Sequence, residues 1–174
     1  MNDFDISSSY IFLYGTLKTV ERNGFMTNKM ISKNQIKFIG EGMMVEKRPL
    51  VVASRCNFPY ILDVTGIGKN VKGQVFQLLD RYCLPEFDEF EDHPFYYERK
   101  LCRISLYNNK SKIFLCWTYL LPDFLEDLLN LPLLDRYSGI DHAKVCQENS
   151  ENCCIKSISD VKIFSTPSSF GPLS

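Results

Sequence analysis

An acid on the apolar side of a helix offers this chain its clearest chemistry. Across residues 81–91, Leu84, Phe87 and Glu91 recur at i, i+3 and i+7, so one α-helical face carries two apolar side chains and then a carboxylate, while Glu86 and Glu89 point elsewhere. Such a carboxylate is partly desolvated. It also lies in the last helical turn, where the macrodipole disfavours negative charge, and has Asp88 one turn below. Each of the three effects raises its pKa. A carboxyl group tuned upward suits a general base working near neutral pH. The alternative is structural: an acidic helix end whose Glu91 reaches solvent or pairs with Arg99.

A second candidate is Tyr14-Gly15-Thr16-Leu17, directly after the apolar run Ile11-Phe12-Leu13-Tyr14. A glycine after a buried strand lets the chain turn sharply and brings unpaired N–H groups close to a ligand. Such a loop holds a carboxylate or an oxyanion. Its alternative is a plain strand-to-loop turn. Other machinery is missing from the sequence: there is no G-x-S-x-G, P-loop or G-x-G-x-x-G, and neither His93 nor His142 has a nucleophile in its sequence context. Asp88 and Glu91 lie on adjacent turns of one helix, a poor way to flank a glycosidic bond. Seven cysteines (Cys56, Cys83, Cys102, Cys116, Cys146, Cys153 and Cys154) include no C-x-x-C, and the two histidines are far apart. No metal site and no cofactor is expected, and the thiols read as reduced residues of a reducing compartment. The adjacent pair Cys153-Cys154 is the exposed-thiol candidate.

The elements that must position these residues follow from periodicity. Ile11–Tyr14 reads as a buried strand and residues 24–33 as a short helix carrying Phe25, Met26, Met30 and Ile31. Short strands are expected at 36–45, 50–53, 60–64 and 73–79, broken by Pro49, Asn57–Pro59 and the turn Thr65–Gly68, where Gly66-Ile67-Gly68 reads as a hairpin turn. Asp80 supplies an N-cap for the helix that runs to about Glu91, and His93-Pro94 stops it. Strands 97–107 and 113–120 should pair through Asn108–Ser111. Pro122–Leu134, with Phe124, Leu125, Leu128, Leu129 and Leu131, reads as an amphipathic helix begun by a proline.

With 174 residues, 45% hydrophobic, 24% charged and a net charge of -1, the chain reads as one globular domain that buries roughly 70% of its surface. Twenty Lys plus Arg against 21 Asp plus Glu, in no long block, leave no footprint for nucleic acid or an anionic membrane. Signal peptide and membrane span are both absent from the sequence, so a cytoplasmic monomer is expected. Residues 1–9 read as a leader and 140–174 as a polar tail with Pro167 and Pro172.

In order along the chain, Y-G-T-L at 14–17, P-L-V-x-A at 49–53, G-x-V at 73–75, and F-D-x-F-E at 87–91 followed by Y-x-R at 97–99 resemble the gamma-glutamylcyclotransferase-like (AIG2-like) family over roughly residues 10–139. The resemblance implies an α+β fold, a mixed barrel-like sheet of about six strands flanked by short helices with the pocket at the barrel mouth. It implies Glu91 as general acid/base and Tyr14, Gly15, Thr16 and Leu17 as the substrate loop. The implied reaction cyclises a γ-glutamyl group to 5-oxoproline and releases an amine, the substrate's own α-nitrogen being the nucleophile. Within the family the likeness is greatest to the members acting on L-γ-glutamylamines such as γ-glutamyl-ε-lysine, the isopeptide left when cross-linked protein is degraded. γ-Glutamyl-amino acids or glutathione, or a non-catalytic module binding a small metabolite or a protein, are the alternatives. Arg55-Cys56 is a local departure from the pattern.

Overall fold

Strand β1, Tyr10–Leu13, is apolar on both faces because both faces are covered. Tyr10 and Phe12 join one core cluster while Ile11 and Leu13 join another, the period-2 alternation of an extended chain. The computed structural model describes residues 9–53, 58–80 and 82–140. The calls on residues 1–8, Arg55-Cys56, His142, Cys146, Cys153-Cys154 and the tail after 140 lie outside the described residues.

The remaining elements are α1 (Gly24–Ser32), β2 (Ile36–Met44), β3 (Leu50–Ala53), β4 (Phe58–Ile61), β5 (Lys72–Leu78), α2 (Cys83–Phe90), β6 (Glu98–Leu106) and β7 (Ile113–Leu120). Five strands close a barrel in the order β1-β5-β2-β6-β7, and β3 with β4 forms a separate antiparallel ribbon. The sheet is mixed because β1 meets β7 in parallel, Ile11 opposite Trp117, while the other pairings are antiparallel. β6 and β7 pair as the hairpin pattern predicts, from Glu98 opposite Leu120 to Ser105 opposite Ile113. The α+β class stands, with five barrel strands and a two-stranded ribbon in place of about six.

Phe12, Val75, Ile104, Phe114 and Leu120 belong to the cluster on one side of the barrel wall. On the other, Met30 of α1 and Phe87 of α2 pack over Ile11, Leu13, Phe76 and Tyr119. In α1 it is Met26, Thr27 and Met30 that turn inward, while Phe25 and Ile31 stay exposed. A third cluster joins the ribbon's Val51, Tyr60 and Leu62 to Leu121 and Leu128.

Two expectations change. Pro122–Leu134 is not an amphipathic helix: only Glu126–Asn130 coils, as a 3-10 turn. Asp123 has φ 47 and Leu125 and Leu131 are extended, so helical geometry is interrupted at both ends. The leucines still serve a core, because Leu128, Leu129 and Leu131 pack on the ribbon cluster whatever their backbone does. Gly66-Ile67-Gly68 is not a hairpin turn either, since it links the ribbon to β5, which pairs with β1 and β2. Both glycines have φ 85, and a Cβ on Gly68 would lie 2.4 Å from the Arg48 carbonyl oxygen. The left-handed conformation and the close approach both call for glycine there.

Candidate active site

Helix α2 carries Glu91 to the site and stops there. Asp80 is not the N-cap that its type suggested: Tyr82 holds that position with no side-chain cap, and Asp80 makes the turn before it, its carboxylate accepting the Tyr82 N–H at 2.9 Å and its carbonyl the Cys83 N–H at 3.2 Å. Cys83 and Phe87 are buried on the barrel side. At the far end the His93 N–H donates to the Asp88 carbonyl at 2.9 Å and the Asp92 N–H to that of Glu89 at 3.3 Å, the pairing of a Schellman motif. Glu91 is therefore the C-cap, one residue past the helix.

Two acids on this helix end meet opposite fates. Asp88 accepts Nη1 of Arg99 and the Tyr119 hydroxyl, the latter at 2.7 Å. The Glu91 carboxyl has no hydrogen-bond or ion-pair partner among the described residues. Arg99, the cation that could have neutralised it, is held by Asp88 instead. The Glu91 pKa is pushed up to about 8, and burial of its carboxyl is the cause. The residue as a whole is only half-buried because it lines a cavity, while its carboxyl is surrounded by packed side chains. Of the effects expected to raise it, burial is the one that the Glu91 shift carries, and the Asp88 charge is paired with Arg99.

The Tyr14–Leu17 segment faces the same cavity, which measures about 310 Å³, within the range of small-molecule sites. Tyr14, Gly15, Thr16, Leu17 and Glu91, brought from separate parts of the sequence, all line it. Beyond β1 the chain loops to α1 and is pinned at several points. The Asn23 amide donates to the Thr16 hydroxyl at 3.0 Å, the Thr27 hydroxyl to the Leu17 carbonyl at 2.7 Å, and the Thr19 N–H to the Gln74 side chain at 3.0 Å. Meanwhile the N–H groups of Gly15, Thr16 and Leu17 donate to no acceptor among the described residues. Gly15 packs against the ribbon so closely that a Cβ there would lie 2.8 Å from Cγ of Pro59. The side chain of Leu17 turns into the helix-covered cluster, leaving its backbone to the cavity.

An aromatic wall completes the site, and the sequence reading missed most of it. Tyr60, Tyr96, Tyr97 and Tyr119 line the cavity. Tyr60 and Tyr97 stack at 5.9 Å, and the hydroxyls of Tyr60 and Tyr96 lie 3.1 Å apart. Tyr14 donates to the Tyr119 carbonyl at 2.9 Å. Burial first, and then the Glu91 charge among other groups, hold the Tyr14 phenol well above its usual pKa. It stays neutral and protonated. Among the described residues no Lys, Arg or His lines the cavity, and no group of three His, Cys, Asp or Glu side chains is placed to hold a metal ion.

A sequence model of the family described as gamma-glutamyl cyclotransferase, AIG2-like, matches residues 11–139. The chain belongs to this family. Among its relatives, a putative gamma-glutamylcyclotransferase of Drosophila melanogaster is 36% identical over 73% of this chain and 78% of that protein. Gamma-glutamylaminecyclotransferase B of Danio rerio is 34% identical over 76% and 70%. The crystal structure of an AIG2-like protein from Mus musculus superposes with a TM-score of 0.67 at 30% identity, covering 75% of this chain and 88% of that one. The protein is thus a cyclotransferase with the family's α+β barrel, and Glu91 and the Tyr14–Leu17 loop meet in its cavity. Among the described residues no helix of the cyclotransferase is long and apolar enough to cross a membrane.

Proposed function

We propose that this cyclotransferase acts on L-γ-glutamylamines, of which γ-glutamyl-ε-lysine is one, forming 5-oxoproline and a free amine. The observation that carries the reading is Glu91: a partnerless carboxyl with its pKa near 8, sharing a cavity with a loop of unpaired N–H groups. The substrate's α-ammonium brings a cation to a site whose described lining has none, which lowers the Glu91 pKa and ionises it. Glu91 then takes a proton from that ammonium. The freed α-nitrogen attacks the γ-carbonyl carbon, closing a five-membered ring, and the N–H groups of Gly15–Leu17 hold the substrate carboxylate or the developing oxyanion. Protonated Glu91 passes its proton to the leaving nitrogen as the C–N bond breaks. The second proton lost by the α-nitrogen departs with the amine as its ammonium, so Glu91 ends as it began.

The cavity lining supports amines over α-amino acids as leaving groups. In a γ-glutamyl-α-amino acid, or in glutathione, a carbonyl carbon is attached one atom from the scissile nitrogen and a free carboxylate lies in or near the pocket. Among the described residues no Lys, Arg or His lines the cavity to receive it, and an unpaired buried charge is costly. A γ-glutamylamine places a methylene at that point. The test is to incubate the purified protein with γ-glutamyl-ε-lysine, γ-glutamyl alkylamines, γ-glutamyl-alanine and glutathione and to measure 5-oxoproline. The amines should be the better substrates, and Glu91→Gln should lower turnover by at least about 100-fold, the low end of a general acid–base contribution. Turnover retained by that variant removes Glu91 from the mechanism, and a preference for glutathione overturns the substrate class.

A further inference from the structure

Besides Glu91, a second acid, Asp92, lines the cavity. It occupies the residue after the C-cap of α2 with φ 50, the left-handed position that glycine ordinarily fills in a Schellman motif. An L-residue there costs stability, though aspartate and asparagine tolerate it better than most. The Asp92 backbone is fully used, its N–H given to the Glu89 carbonyl and its carbonyl taking the Tyr96 N–H at 2.7 Å. Its carboxylate has no partner among the described residues. Of the described residues lining the cavity, Phe90 and Asp92 are the exposed ones, which places them at its mouth, on the side open to solvent. The two acids differ in setting, Asp92 being exposed and Glu91 half-buried.

Resting on the reading of the cavity as a γ-glutamylamine site, we propose that Asp92 is a specificity-determining residue that receives a second cationic group on the leaving amine. Compounds whose amine half carries its own ammonium, such as γ-glutamyl diamines and γ-glutamyl-ε-lysine, then bind better than γ-glutamyl monoamines of equal length. The methylene chain runs over the apolar mouth beside Phe90, and its far ammonium meets Asp92. The acid explains its own backbone: glycine would stabilise the turn better but could not bind a cation.

The probes are L-γ-glutamyl-cadaverine and L-γ-glutamyl-pentylamine, which differ in the terminal ammonium. Their Kd values are measured by calorimetry on Glu91→Gln protein, so that binding is read without turnover. The diamine derivative should bind about two- to fivefold more tightly at about 10 mM salt, the range of a solvent-facing ion pair, and the difference should vanish near 1 M salt. Adding Asp92→Asn, which suits the left-handed backbone, or Asp92→Gly should erase the preference. Equal Kd values in the presence of Asp92, or a preference that survives both substitutions, overturns the proposal. Binding with the expected preference, but with no 5-oxoproline formed by the wild-type protein, overturns the reaction and leaves the subsite. Failure of both probes to bind overturns both.

Discussion

Asp88 and Glu91 sit three residues apart on one helix end, yet only the first is neutralised, because Arg99 and Tyr119 reach Asp88 and leave Glu91 alone. That difference has a thermodynamic signature. With a folded pKa near 8 against an ordinary unfolded carboxyl near 4.3, the folded state binds more protons between the two values. Glu91 therefore costs no stability below about pH 4, and its penalty grows as pH rises, reaching its full size above about pH 8. Glu91→Gln should stabilise the protein by ~1–3 kcal/mol at pH 9, the scale of one uncompensated buried polar group, and by much less at pH 5. Urea denaturation of both proteins at the two pH values checks this, and an equal effect at both would mean that the carboxyl is not perturbed. The spacing of Leu84, Phe87 and Glu91 made the acid legible in the sequence. The choice of Arg99 between the two acids was not legible, because it depends on where β6 lies against α2.

At the scale of elements, the site loop depends on α1 for its shape. Thr27 is fully buried and its hydroxyl holds the Leu17 carbonyl, tying the helix to the segment that lines the cavity with unpaired N–H groups. Thr27→Val keeps the volume and removes the donor, leaving a buried carbonyl unsatisfied. The expected loss is ~1–2 kcal/mol of stability, with a rise in KM as the loop loosens. Thr27→Ser, which restores the hydroxyl, should recover most of both, and a Val variant with unchanged KM would separate the loop from α1. How well the elements could be foreseen tracks the range of their contacts. The β6–β7 hairpin and the two-sided strand β1 follow from local pattern. Leucine spacing at 122–134 suggested a helix because apolar residues on a coiled or extended segment can face one core just as well, and the reversed φ of Asp123 leaves no strong mark in sequence. The tyrosine wall was hidden for a related reason: Tyr14, Tyr60, Tyr97 and Tyr119 come from four segments that only barrel closure and the packing of the ribbon bring together.

At the scale of the molecule, the last described residues are stitched to the parts that shape the site. The Leu134 N–H donates to the Leu50 carbonyl at 2.8 Å and the Lys72 N–H to that of Asp135 at 2.7 Å. Further on, Lys18 Nζ donates to the Tyr137 carbonyl at 2.6 Å, and the Gly139 N–H to the Glu21 carboxylate at 3.0 Å. The segment thus closes over the ribbon, then over β5, and finally over the loop that follows Leu17. Tyr137 is buried while Ile140 is exposed, so the stitching ends at about the residue where the family match ends. We infer that residues 10–139 hold the whole folding unit. A chain cut after Ile140 should melt within about 2–4 °C of the full chain, equivalent to no more than ~1 kcal/mol at this size, and should keep its KM for γ-glutamylamines. A cut after Leu133 removes every one of these bonds and unpins the site loop, so it should lower Tm by much more and raise KM as well. A large loss of stability from the first cut would place part of the folding unit beyond residue 140, and an unchanged KM after the second would mean that the loop between β1 and α1 holds its shape without the strap across it.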